Sequence, residues 1–110
     1  MTFVDQPRVH RLPVAPDLPG CDHIGTVTLR SQVRIAGEVV KVGVRPWAGG
    51  DVFEVVLDDG SGRITLAFLG RRTVAGLKCG ALISADGTVG THRGRVIILN
   101  PLIAFLGLDG

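Results

Sequence analysis

The segment Val33–Val44, which reads VRIAGEVVKVGV, constrains the fold more than any other part of the chain. In its first half the apolar residues share one face of an extended strand: Val33, Ile35 and Val39. In its second half they occupy the alternate positions: Val40, Val42 and Val44. Gly37 lies on the first of these faces, where a strand glycine marks a sharp bend or a close backbone approach. The pattern predicts one long strand that is kinked at Gly37, and the change of parity after Val39 indicates a bulge or a strand shared between two sheets.

Four shorter segments also have the alternation or β-branched content of strands. They are Asp51–Leu57, Arg63–Leu69, Ala81–Val89 and Arg95–Leu99. The alternation predicts that the buried faces of the first two carry Phe53, Val55, Leu57, Ile64, Leu66 and Phe68. The sequence Asp58-Asp59-Gly60-Ser61-Gly62 between them predicts a hairpin turn, which the two aspartates initiate. Asn100-Pro101 is expected to end the sheet, because proline cannot donate to a strand ladder.

The segment between Gly70 and Leu77 is flanked by glycine and has room for only a turn or two of helix. The predicted order is therefore three strands, a short helix and two strands, which is typical of a five-stranded Greek-key barrel of the OB-fold class. The chain has 110 residues, enough for one domain with a single core. Its 16 glycines and its many Val, Ile and Leu residues favour this all-β class over long helices.

Three regions follow from the distribution of proline and apolar residues. Residues 1–31 contain Pro7, Pro13, Pro16 and Pro19 and are interpreted as an N-terminal arm and lead-in, with a short turn or edge strand after His23. Residues 32–101 form the predicted barrel, and residues 102–110 an apolar tail. The tail is expected to pack back onto the barrel or onto a second subunit.

Several motifs within residues 33–101 resemble the OB-fold family of nucleic-acid-binding domains of the tRNA-anticodon type. They are VRIAGEV (33–39), LDDGSG (57–62), ITLAFLGRR (64–72), AGLKCG (75–80) and ILNP (98–101). Within that family the chain is most similar to small stand-alone OB-fold proteins of actinobacteria, and more distantly to the wedge domain of RecG-type helicases. The resemblance implies nucleic-acid binding across strands two and three, between the loops that join strands one to two and four to five.

Charge is unevenly distributed along the chain. Residues 1–59 hold six basic and eight acidic side chains, a net charge of −2, whereas residues 60–110 hold six basic and two acidic ones, a net charge of +4. Ten of the twelve basic residues are arginine, whose planar guanidinium suits phosphates and stacks on bases. This pattern favours an anionic partner.

Placing the resemblance on this sequence gives a set of candidate nucleic-acid-binding residues: Arg45, Trp47, Arg63, Thr65, Arg71, Arg72, His92, Arg93 and Arg95. Trp47 is expected to stack on a base, or alternatively to cover the barrel end or pack on the N-terminal arm. The arginines are expected to contact phosphates, although a hairpin tip such as Arg93–Arg95 is also often charged for solubility alone. Single-stranded DNA or RNA is the expected partner, with little sequence preference.

The sequence offers no constellation for catalysis, metal or cofactor binding. Its three histidines lie in separate segments, and Glu38 and Glu54 are its only glutamates. Cys21-Asp22-His23 resembles a fragment of a metal site, but a tetrahedral zinc site needs more ligands at close spacing. We therefore expect a non-enzyme without cofactors. No apolar run reaches the roughly 20 residues of a membrane span, so a cytoplasmic protein without membrane contact is expected. The alternative function is a protein-interaction or structural domain, either a homodimer or a subunit of a larger assembly.

Overall fold

A computed structural model of the protein describes residues 4–5 and 20–108. These residues form seven β-strands: β1 (Val4–Asp5), β2 (Gln32–Trp47), β3 (Gly50–Asp58), β4 (Arg63–Leu69), β5 (Ala81–His92), β6 (Arg95–Leu99) and β7 (Leu102–Leu108). A single 3-10 turn, Ile24–Thr26, precedes β2, in the lead-in where a short turn was predicted. The all-β class is confirmed. The described residues contain no helix with the length and hydropathy needed to cross a bilayer.

Five of the strands form a closed ring, in the order β2, β3, β4, β6, β5 and back to β2. All pairings in the ring are antiparallel except that of β4 with β6, which is parallel. The long strand β2 makes closure possible, because residues 32–38 pair with β5 and residues 38–47 pair with β3. The register shifts between Val39 and Lys41, which confirms the predicted bulge and the sharing of this strand between two parts of the sheet.

Gly37 permits the close backbone approach that its position in β2 predicted. A Cβ atom at this residue would lie 2.6 Å from the carbonyl oxygen of Asp58, at the end of β3. Any other side chain would push β2 away from the β3–β4 turn. The glycine is therefore required by the space between two segments of backbone.

The β3–β4 turn is fixed by the two aspartates that were predicted to initiate it. Asp58 Oδ1 accepts a hydrogen bond from the Gly60 amide at 2.7 Å. Asp59 is almost completely buried, and its Oδ1 accepts hydrogen bonds from the Ser61 amide at 2.8 Å and from the Ser61 hydroxyl at 2.7 Å. Its Oδ2 accepts a hydrogen bond from the Ile24 amide at 2.8 Å. Asp59 thus joins the turn to the segment that leads into β2.

The core lies inside the ring and contains the inward-facing residues of its strands. All six residues predicted for the buried faces of the second and third strands are buried: Phe53, Val55, Leu57, Ile64, Leu66 and Phe68. Leu77 from the segment after β4 and Ile24 from the lead-in complete the core at its margins. The alternation of the sequence therefore predicted the inner face of the sheet correctly.

The short helix predicted after the third strand is absent from the structure. Residues 70–80 form turns, and the Leu77 amide donates a hydrogen bond to the Val74 carbonyl, which closes a single turn. Gly70, Gly76 and Gly80 all have positive φ angles, of 71°, 82° and 96°. A helix needs negative φ at each position, so these residues interrupt it before a second turn can form.

The prediction that Asn100-Pro101 ends the sheet is wrong. Asn100 adopts φ 48° and reverses the chain, and its side-chain oxygen accepts a hydrogen bond from the Leu69 amide at 2.9 Å. The chain then continues as β7, which pairs antiparallel with β5 from Asp86↔Leu102 to Ala81↔Leu108. Of the two outcomes expected for the tail, it packs back onto the sheet. At the other terminus β1 pairs with Lys41 and Val42 of β2, while the four prolines of the predicted arm lie outside the described residues.

Candidate nucleic-acid interface

Two tight hairpins meet at one end of the ring. The β2–β3 connection is only Ala48–Gly49, because Trp47 already pairs with Gly50. The predicted loop over residues 45–50 is therefore mostly strand, and Arg45 and Trp47 lie on β2. The β5–β6 connection is Arg93–Gly94, with φ angles of 52° and 80°, as in a type I′ turn.

The central feature of this end is an aromatic pair. The rings of Trp47 and His92 are stacked with their centroids 3.7 Å apart and their planes 5° from parallel. The two residues are 45 positions apart in the sequence, and closure of the ring brings their strands together. Sequence analysis selected both residues but did not predict that they contact each other.

A buried carboxylate lies beneath this pair. The side chain of Glu54 is inaccessible to solvent, and its Oε2 accepts a hydrogen bond from the Trp47 indole at 2.9 Å. Arg95 donates two hydrogen bonds to the same carboxylate, at 2.7 and 2.9 Å, in the bidentate geometry that arginine favours. The Nε atom of Arg45 lies 3.3 Å from Glu54 Oε1. One carboxylate therefore positions three of the predicted site residues.

The pKa values of the cluster reflect these contacts. Burial by itself raises the pKa of Glu54, but the hydrogen bonds from Arg95 and Trp47 and the charges of Arg95 and Arg45 outweigh it, so the pKa is lowered overall. The pKa of Arg95 is raised, chiefly by its hydrogen bonds to Glu54. Glu54 is therefore ionised, and its negative charge offsets one of the three positive charges of Arg45, Arg93 and Arg95, which leaves a net charge of +2 on these four side chains.

These residues border a cleft of about 430 Å³, here called the arginine cleft. It is lined by Arg45, Pro46, Trp47, His92, Arg93 and Arg95. Arg93, at the tip of the β5–β6 hairpin, is exposed and forms no ion pair with any residue that the structure describes. The structure thus brings together five of the nine predicted site residues.

Arg63 and Thr65 lie elsewhere. Arg63 pairs with Asp58 at 2.9 Å at the far end of the β3–β4 hairpin. The Asp58↔Arg63 register position is four residues from Glu54↔Ala67, which is about 13 Å along the strand. Thr65 has the predicted outward parity but is buried, and its neighbours in the sheet are Val56 of β3 and Ile97 of β6. Neither residue borders the arginine cleft.

Arg71 and Arg72 follow β4 at the same end of the ring as Trp47. The Gly70 amide donates to the Asp51 carbonyl at 2.9 Å, which places this segment beside the start of β3. Arg72 forms an ion pair with the carboxylate of Asp51, and Arg71 is exposed to solvent. They form a second basic patch near the aromatic pair, separate from the arginine cleft.

Sequence analysis did not select Glu54 as a site residue. The signal for it was present: a glutamate on the outward parity of an otherwise apolar strand, in a chain with arginines predicted on the same face. Among the described residues, no group of three His, Cys, Asp or Glu side chains is arranged to hold a metal ion. In comparisons with known proteins, no family model matches the chain and no curated protein is significantly similar to it.

Proposed function

We propose that this protein is a non-catalytic OB-fold module that binds single-stranded nucleic acid at the arginine cleft. The order of the five ring strands supports the OB-fold assignment: counted along the chain, it is one, two, three, five, four and back to one, with the third and fifth strands parallel. In this fold the two hairpins that flank the cleft are the ones that join strands one to two and four to five. The resemblance of the sequence motifs points to the same fold.

The observation that carries the proposal is the stacked Trp47–His92 pair beside three arginines. Both residues are half-buried, and an aromatic platform next to cationic groups is the usual means by which proteins bind unpaired bases and their phosphates together. A base added to the stack extends an aromatic column that the protein has already ordered. Because every base has a π-face, binding of this kind has little sequence preference.

The hydrogen bonds to Glu54 indicate different roles for Arg93 and Arg95. Both terminal nitrogens of Arg95 donate to the carboxylate, so two of its five N–H groups are engaged and its charge is paired with that of Glu54. Arg93 has its whole guanidinium available for a phosphate. We therefore expect Arg93 to be the main phosphate contact and Arg95 to support the aromatic pair.

Intrinsic fluorescence gives a direct test, because Trp47 is the only tryptophan and the chain has no tyrosine. Titration with oligothymidylate and oligouridylate at 50 mM salt should quench the emission of Trp47 as a base stacks near it. Replacing Trp47 with alanine should weaken binding about 5- to 150-fold when binding is followed by anisotropy of a labelled strand.

The salt dependence of binding tests the phosphate contacts. Arg93→Gln should lower the slope of log affinity against log salt by about 0.7, the value for one phosphate of a single strand. The matched control is Lys78→Gln, which removes an exposed charge near the opposite end of β5 and should leave the slope unchanged. Absence of binding at 50 mM salt, or an unchanged slope for Arg93→Gln, would contradict the proposal.

A second candidate function is self-association through β7. This strand pairs only with β5, so its other edge has no partner among the described residues, and it lacks the charged or proline residues that usually protect an edge. Leu102 is 77% exposed and Leu106 is 51% exposed. A two-fold axis through Ala104 would place Leu102 opposite Leu106 of a second copy in an antiparallel pair, so the edge is complementary to itself.

The mass in solution distinguishes this candidate. We expect a concentration-dependent dimer by light scattering, and a monomer for Leu102→Glu. Leu29→Glu, at a leucine outside β7 that is 55% exposed, is the matched control and should remain dimeric. A wild-type monomer at high micromolar concentration would exclude this candidate without affecting the nucleic-acid proposal.

A further inference from the structure

A second cleft, of about 310 Å³, lies on the other side of the aromatic pair. It is lined by Trp47 and His92 together with residues of the β2–β3 connection and the end of β4, among them Gly49, Gly50, Leu69 and Gly70. We call it the glycine cleft. Trp47 and His92 are the only residues that line both clefts, so the stacked pair separates them.

The two clefts differ in chemistry. Three guanidinium groups line the arginine cleft, whereas the lining of the glycine cleft includes no arginine or lysine. Its one charged lining residue is Asp51, which forms an ion pair with Arg72. An anion is therefore attracted to the first cleft and not to the second.

The shape of the glycine cleft suits a flat apolar group. A Cβ atom at Gly49 or Gly50 would meet no atom within 4 Å, so the glycines leave this side of the cleft open. Leu69 is 44% exposed, which leaves an apolar surface without cover among the described residues. The volume is at the lower end of the roughly 300–1,000 Å³ found for small-molecule sites.

We propose that the glycine cleft receives one nucleobase while the arginine cleft holds the adjacent phosphates, so that a single strand crosses the molecule over the Trp47–His92 pair. This inference rests on the proposed function and adds the position and the chemical class of each part of the ligand. The base is held by stacking and apolar contact, and its phosphates by Arg93 and Arg45.

The test compares two strands of equal length and charge, one of thymidylate and one in which abasic residues replace the bases. Wild-type protein should bind the thymidylate strand about 5- to 150-fold more tightly. Gly49→Leu fills the glycine cleft at a residue whose φ lies outside the left-handed range. This variant should bring the ratio of the two affinities close to one, while the affinity for the abasic strand and its salt slope stay unchanged.

Two further variants keep the test decisive. Gly49→Ala adds a single carbon and should retain most of the preference for bases. Leu69→Gln removes apolar contact from the opposite side and should lower the ratio even if Gly49→Leu folds poorly. An equal loss of both affinities in Gly49→Leu and in Leu69→Gln, with a wild-type preference for bases, would overturn the base cleft alone. A wild-type ratio near one would also contradict base stacking on the Trp47–His92 pair. Failure of wild type to bind either strand would overturn the proposed function and this inference with it.

Discussion

Replacing Glu54 with glutamine should lower the free energy of unfolding and should make that free energy less dependent on pH below about pH 5. The substitution keeps the size of the side chain but removes the negative charge and one of its two acceptor oxygens. The new amide group would face the donors of Arg95, with which it cannot form a hydrogen bond. The charges of Arg95 and Arg45 would then have no counter-ion in the cluster.

The size of the effect follows from burial. Removing one partner of a fully buried ion pair costs about 3–5 kcal/mol, since it leaves an uncompensated charge. Here the carboxylate is inaccessible, but the side chains of Arg95 and Arg45 are 37% and 48% exposed and can turn toward water. We therefore expect the free energy of unfolding to fall by about 2–3 kcal/mol at pH 7.

The pH dependence has a definite sign. The pKa of Glu54 is lower in the folded protein than in the unfolded chain, where it is about 4.3. The stabilisation from its ionised form is complete above the unfolded value and is lost as the pH falls through the folded value. The difference in stability between wild type and Glu54→Gln should therefore be constant from pH 7 to about 5 and should shrink at lower pH.

Urea denaturation, followed by Trp47 fluorescence and by far-UV circular dichroism, measures this difference at each pH. Asp86→Asn is the control: its partner is Arg34, both side chains are well exposed, and only a small change in stability is expected. If Glu54→Gln were as stable as wild type, or if the gap stayed constant down to pH 3, Glu54 would not be the ionised anchor of the cluster.

Three further substitutions test the fold. Gly37→Ala should lower the free energy of unfolding by about 1–3 kcal/mol, because its Cβ would lie 2.6 Å from the Asp58 carbonyl oxygen, whereas Gly49→Ala should change it by less than about 0.5 kcal/mol in the same urea titration. Asp59→Asn leaves one side-chain oxygen in place of the two that accept hydrogen bonds from the Ile24 and Ser61 amides. Hydrogen exchange at the Ile24 amide should therefore accelerate, while exchange at the amides of β5 should stay slow. Asn100→Ala should lower the melting temperature more than Asn100→Gly, since glycine tolerates φ 48° without strain and alanine does not.

The parts of the fold that sequence predicted are those determined by local signals. The change of parity after Val39 and the glycine at position 37 gave the bent, shared strand, and the Asp-Gly sequence gave the β3–β4 hairpin. The extent of β7 was not predictable in this way. Pro101 was taken as a terminator, but the strand begins after it, and the edge of β5 provides the partner that makes Leu102–Leu108 extended.

The same distinction applies to the candidate site. The sequence resemblance pointed to the connections between strands one and two and between strands four and five, and this selected Arg45, Trp47, His92, Arg93 and Arg95. The stacking of Trp47 on His92 and the hydrogen bonds to Glu54 depend on how the ring closes, which brings β2, β3, β5 and β6 together at one end. Arg63 lies outside the arginine cleft because residue parity predicts the face of the sheet on which a side chain lies. It does not predict which end of the strand lies near the cleft.

Glu54 also sets how strongly salt should affect binding. Three arginines without a neighbouring carboxylate would attract phosphates more strongly. The buried carboxylate of Glu54 lies among them and reduces the net charge of the cluster to +2. If two phosphates are neutralised, the slope of log affinity against log salt is about −1.4 for a single strand, so affinity falls only about sevenfold between 50 and 200 mM salt. Stacking on an aromatic pair is not screened by ions. The carboxylate thus lowers the electrostatic attraction for phosphates while its hydrogen bonds hold Trp47 and Arg95 in place. A much steeper slope of log affinity against log salt would mean that phosphates bind elsewhere on the molecule.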